Sequence, residues 1–114
     1  MTVYRVVFSN AAYEQARTID EWWIGNRPAA PDLFVRELDA AVRLLETSPM
    51  VGPTYPASPV PGVRRMLIGR SRYHVYWEVD VPGRTVTITA VWQWRTSSAS
   101  LIKPANRGDR GLQR

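Results

Sequence analysis

The stretch VRRMLIGRSRYHVYWEVDVPGRTVTITAVWQW, residues 63–94, decides the fold. Polar and apolar residues alternate along it with period two, and its two interruptions carry turn chemistry. Val63–Ile68, Tyr73–Val79 and Thr85–Trp94 therefore read as three strands. Gly69-Arg-Ser-Arg72 and Asp80-Val-Pro-Gly-Arg84 read as the hairpin loops that join them. In the last strand Thr85, Thr87 and Thr89 alternate with Val86, Ile88 and Ala90, giving one polar and one buried face. Trp92 and Trp94 extend the buried side. Along the middle strand Tyr73, Val75, Trp77 and Val79 oppose His74, Tyr76 and Glu78.

Upstream, the period changes. Thr2–Phe8 is β-branched and aromatic and reads as a strand, and Ser9 offers a helix cap. Ala12, Ala16, Ile19 and Trp23 then recur at helical spacing, which predicts a helix from Asn10 to about Asn26. Arg27-Pro-Ala-Ala-Pro31 breaks it. Phe34, Leu38, Ala41 and Leu45 form a second stripe that stops at Thr47-Ser-Pro49. Residues 49–62 hold Pro49, Gly52, Pro53, Pro56, Pro59, Pro61 and Gly62, and read as a loop. The order is β-α-α-β-β-β, an α+β chain whose helical hairpin packs on one face of a small, mostly antiparallel sheet. The other face is expected to stay partly open, presenting Arg64, Arg72, His74, Tyr76, Gln93 and Arg95.

Composition narrows what such a sheet can do. The chain has 114 residues, 45% of them hydrophobic, enough for one domain and too few for two cores. The expected division is a domain over residues 1–95 and a basic tail over 96–114. With no cysteine, a disulfide scaffold, a thiolate metal site and a cysteine nucleophile are all excluded. A single histidine, His74, excludes a multi-histidine metal centre. No metal and no cofactor are expected. Met1–Phe8 lacks the basic and long apolar runs of a secretory signal, and no window reaches the ~20 apolar residues of a membrane span. The expectation is a soluble cytoplasmic protein without a membrane partner. Charge is divided unevenly. Residues 1–57 carry five arginines against seven acids, whereas residues 58–114 carry nine arginines and Lys103 against three. A basic half points to an anionic partner, either nucleic acid or an acidic protein.

The chain resembles the RelE/ParE superfamily of toxin–antitoxin toxins over roughly residues 3–95. The resemblance rests on Phe8-Ser-x-x-Ala12 before an aromatic first helix, Pro28-x-Ala30 before the second, and Leu45-x-x-x-Pro49-x-x-Gly52 at its end. It continues through Gly62-Val-Arg64-Arg-Met-Leu-Ile-Gly69, Tyr73-His-Val-Tyr-Trp77-Glu-Val and Val86-x-Ile88-x-x-Val91-Trp-Gln-Trp-Arg95. It implies a growth-inhibiting toxin held silent by a cognate antitoxin protein. ParE-like members act by binding DNA gyrase, and RelE-like members are metal-free ribonucleases that cut messenger RNA in the ribosome. The ParE-like route is favoured here; the alternatives are a ribosome-dependent endoribonuclease and an inactive homologue that only binds antitoxin.

A metal-free ribonuclease needs a base for the 2′-hydroxyl, an acid for the leaving oxygen and cations for the phosphate. If the chain is a nuclease, its candidates are Arg64, Arg72, His74, Tyr76 and Arg95. The family's His-x-x-Arg falls near Gln93-Trp94-Arg95-Thr96, so glutamine stands where histidine is common, and glutamine exchanges no proton near neutrality. His74 titrates in the right range, but no carboxylate is placed by sequence to orient it, so the ordinary reading is an exposed strand histidine. The binding candidates are Arg64, Arg65, Arg72, Gln93 and Arg95, which offer an anionic partner a docking surface. Trp22 lies off the first helical stripe and is a candidate for a partner patch.

Overall fold

The computed structural model describes residues 3–93. Its elements are β1 (Arg5–Phe8), α1 (Asn10–Asn26), α2 (Leu33–Thr47), β2 (Arg64–Ile68), β3 (Tyr73–Asp80) and β4 (Thr85–Gln93). The order is the expected one, and the α+β class follows. Trp94, Arg95 and the tail lie outside the described residues, so the division at residue 95 does too.

The four strands align as β1-β4-β3-β2. Both hairpins are antiparallel, and β1 runs parallel to β4 in the register Arg5↔Thr85 to Phe8↔Ile88. A parallel neighbour needs a long crossover connection, and the helical hairpin begins that crossover. Ser9 starts α1: its Oγ accepts from the Ala12 amide at 3.2 Å. The stripes then do what their spacing predicts. Ala12, Ala16 and Ile19 of α1 and Phe34, Leu38, Ala41 and Leu45 of α2 are buried against Phe8, Val75, Trp77, Val86, Ile88 and Val91 of the sheet. On the outward side of α2, Arg36 pairs with Asp32 and Arg43 with Asp39 at i,i+4 spacing.

Two expectations are corrected. First, the part of the sheet's second face that carries Tyr76 is covered. The proline-rich segment 49–62 folds over it as a strap sewn to the edge strand. Tyr55 N donates to Val63 O at 2.7 Å, Arg65 N donates to Pro53 O at 3.2 Å, and Thr54 bridges Arg64. Under the strap Tyr55 and Val60 pack on Val63, Tyr76 and Ala90, a second small core in which Tyr76 is fully buried. Gly52 lets the strap lie close, because a Cβ there would stand 2.6 Å from both the Arg65 carbonyl and the Trp77 ring.

Second, the alternation along β4 is interrupted. Tyr76 pairs with Ala90 and Trp77 with Ile88, so Thr89 is the extra residue of a β-bulge. Thr89 Oγ1 donates to Tyr76 O at 3.4 Å, and Ser9 Oγ donates to Thr89 O at 3.5 Å. Past the bulge the faces exchange. Ala90 joins the core under the strap, Val91 joins the core under the helices, and Trp92 leaves the Val86 face.

The β2–β3 hairpin is fastened to α2 by one carboxylate. Glu37 accepts from Arg70 N at 2.7 Å, Ser71 N at 2.9 Å and Ser71 Oγ at 2.6 Å. Gly69 adopts φ +34°, and any side chain there would strike Glu37. Burial pushes the Glu37 pKa up, but the hydrogen bonds from Ser71 and Arg70, with the Arg70 charge, outweigh it and hold the group below the ordinary carboxylate range. A carboxylate depressed on folding stabilises the fold above its unfolded pKa and loses that contribution as pH falls through the folded value. Glu37→Gln should therefore cost about 1–3 kcal/mol in urea unfolding at neutral pH. The gap to the parent should shrink as the titration descends through and below the carboxylate range.

Candidate functional site

Register assigns each candidate to a face. Arg64 lies opposite Trp77, whose side chain belongs to the core under the helices. Its guanidinium donates to Gly52 O at 2.5 Å and Met50 O at 3.3 Å, while Trp77 Nε1 donates to Pro49 O at 2.8 Å. Arg64 thus holds the start of the strap in place, which corrects its expected position on the open face. Its neighbour Arg65 takes that position instead, with its guanidinium 4.3 Å from the Tyr55 ring centre.

The outer face is built as cross-strand rows. Arg65, Tyr76 and Ala90 form one, and Leu67, His74 and Trp92 form the next. The strap covers Tyr76, which corrects its expected exposure, and the adjacent row keeps Leu67 41% accessible. Arg65 and His74 therefore share the face of the sheet opposite the helices. Burial first, and the Arg65 charge second, hold His74 below the ordinary histidine range. The imidazole is accordingly neutral at physiological pH. Among the described residues no three metal-ligating side chains gather, and no helix is long and apolar enough to cross a membrane.

Arg72 and Gln93 lie elsewhere. Arg72 ends the β2–β3 turn with φ +61°, its N–H donating to Ile68 O, and Gln93 pairs with Tyr73 at the end of β4. Together they line a hollow of about 250 Å³ with Trp22, Trp23 and Arg27. Beside it runs a larger groove of about 540 Å³ between α1 and the end of β4, lined by Gln15, Ile19, Trp22, Tyr73 and Trp92 among others. Gln15 Oε1 accepts from Val91 N at 2.8 Å, so a side chain of α1 occupies a strand amide past the end of β1.

The sequence-derived set is thereby divided. The structure brings Arg65 and His74 together on the outer face and Arg72 and Gln93 together at the hairpin end. Arg64 and Tyr76 are taken into structure, and Arg95 lies outside the described residues. Sequence reasoning missed Arg27. Its signal was present: Trp23 and Trp22 precede it by four and five residues, and its guanidinium sits 5.9 and 4.9 Å from their ring centres.

The architecture and the sequence meet in one comparison. The family model described as the ParE toxin of the type II toxin–antitoxin system parDE matches residues 6–96. The chain belongs to this ParE toxin family. Among solved structures, the family fold is seen in the chromosomal ParDE toxin–antitoxin system from P. aeruginosa, at TM-score 0.64 and 20% identity over 80% of this chain and 96% of that one. A double-arginine mutant of the E. coli toxin RelE in the free state aligns at TM-score 0.62 and 14% identity, over 87% of this chain and 92% of the other. No curated protein sequence matches it. As a ParE family member it is a toxin of the type II class, and an antitoxin partner follows from that membership.

Because His74 is the only histidine, its titration is directly observable. Imidazole proton NMR should place its midpoint below the ordinary value of about 6.5, and Arg65→Gln should move that midpoint upward. A folded-state depression for histidine means stability held above the unfolded pKa and lost as pH falls through the folded one. Acidification from about pH 6.5 downward should therefore cost more stability in the parent than in His74→Gln.

Proposed function

We propose that this toxin arrests growth by binding DNA gyrase, with no hydrolysis of its own, and that a cognate antitoxin silences it. One observation carries the reading: on the outer face, the acid–base chemistry of a ribonuclease is poorly supplied. His74 is held neutral beside Arg65 and Tyr76 is sealed under the strap, while Gln93, away at the hairpin end, does not ionise near neutrality. A single neutral imidazole can take a proton from a 2′-hydroxyl, but among the described residues no acid stands beside it on this face for the leaving oxygen. What the same surface does supply is the Arg65 guanidinium and the exposed apolar side chain of Leu67, which are ingredients of an interface.

Antitoxin neutralisation fits this chemistry. Arg65 on the outer face and Arg70 on the β2–β3 turn present positive charge, and carboxylates from an acidic partner would complement it.

The deciding experiment is a supercoiling assay with purified gyrase and relaxed plasmid. The toxin should block supercoiling in a dose-dependent way, and an equimolar amount of the antitoxin should restore it. A translating extract run in parallel should keep its messenger RNA intact. Cleaved transcripts alongside unaffected gyrase would establish the ribonuclease reading instead.

A further inference from the structure

The hollow at the C-terminal end of α1 is walled by indole rings and two arginines. Trp22 and Trp23 meet edge to face, with ring centres 5.8 Å apart and planes at 75°, forming a corner of two indoles. Arg27 covers that corner, held over both rings by cation–π attraction. The guanidinium is thereby held against the indoles on one side. The residue is exposed, leaving its other side open for a second flat ring. Trp23 Nε1 donates to Tyr73 OH at 3.3 Å, which ties this wall to β3. Ser71 also lines the hollow and is committed to Glu37, so the hairpin carrying Arg72 is anchored as well.

Charge separates this place from the rest of the helical layer. Arg17, Arg36 and Arg43 each pair with a carboxylate on their own helix or its cap. Arg27 has no carboxylate partner among the described residues, and no acidic side chain lines the hollow. At about 250 Å³ it is smaller than the pockets of about 300–1,000 Å³ that enclose whole drug-sized ligands, and suits one ring with its substituent.

We propose that this hollow is a contact site for single-stranded nucleic acid. One base stacks on the Arg27–Trp22 pair, and Arg72 meets the adjoining phosphate. A nucleotide supplies a planar ring and an anion in one unit. An acidic peptide supplies the anion but brings no flat ring to the exposed side of Arg27 and Trp22. The site is separate from the Arg65–His74 face and stands whether or not the toxin acts on gyrase.

The test is fluorescence anisotropy of an end-labelled twelve-nucleotide oligo(dT) titrated with the full chain at low salt. Saturable binding is expected, weakened at least about fivefold by Trp22→Ala and by Arg27→Gln, as loss of a stacking platform requires. Arg27→Lys keeps the charge but not the plane, and should also weaken binding. Arg43→Gln removes an equal charge from α2 and should change affinity less than about twofold. Circular dichroism confirms folding, and both altered side chains are exposed. Absence of binding would overturn the proposal. So would equal losses in Arg27→Gln and Arg43→Gln, which would mean a diffuse field. Displacement by poly-glutamate as effective as by unlabelled oligo(dT) would assign the hollow to an acidic protein and overturn it too.

Discussion

The parallel seam between β1 and β4 ends at Ser9, and the way it ends organises the molecule. Ser9 N closes the seam on Ile88 O, and its Oγ both caps α1 and donates to the carbonyl of the bulged Thr89. One residue therefore stops a strand, starts a helix and pins the irregularity of the strand beside it. A buried hydroxyl with both roles satisfied is stable, whereas a small apolar replacement would leave the α1 amide and the Thr89 carbonyl unsatisfied. Everything that depends on β4 past the bulge inherits this arrangement. Val91 turns under the helices, Trp92 turns to the outer face, and Gln15 reaches the Val91 amide where β1 no longer does.

The layer order follows. Because the seam places β1 outside β4, the helical hairpin connecting β1 to the rest lies across the central strands, with Trp77 fully buried beneath it. On the other side, the strap covers the row containing Tyr76 and stops short of the row containing His74. Coverage and exposure on that face are thus set by where the strap runs. The two clusters of functional candidates, one on the outer face and one at the hairpin end, are the surfaces this construction leaves over.

Much of this was legible. Helical stripes such as Phe34, Leu38, Ala41 and Leu45 bury as their spacing says, since periodicity reports a face directly. The period-two reading of β3 holds along its whole length. It fails on β4 because a bulge adds one residue and reverses the faces beyond it, and Thr89 carries no local mark of that in a threonine-rich strand. The same blindness exchanged Arg64 for Arg65: adjacent arginines on an edge strand look alike until register says which shares a face with Trp77. Prolines announced the strap as irregular, correctly, but irregular is not the same as remote. Tyr55 and Val60 were its apolar contacts, too few to form a pattern. Arg27 was missed for a different reason, lying in a helix-breaking segment where a charge is ordinarily solvated.

The parallel pairing of β1 with β4 also governs when the protein can exist as a folded object. Ser9 and Thr89, bonded in the finished molecule, are separated by 80 positions along the chain. During synthesis the helical hairpin and the β2–β3 hairpin emerge while the strand that unites them is still being made. A core whose central strand arrives last has little native surface to offer any target beforehand, and loop closure over such a span is slow. The timetable of translation thus withholds the folded toxin until β4 has been made, an interval in which an antitoxin can already be present.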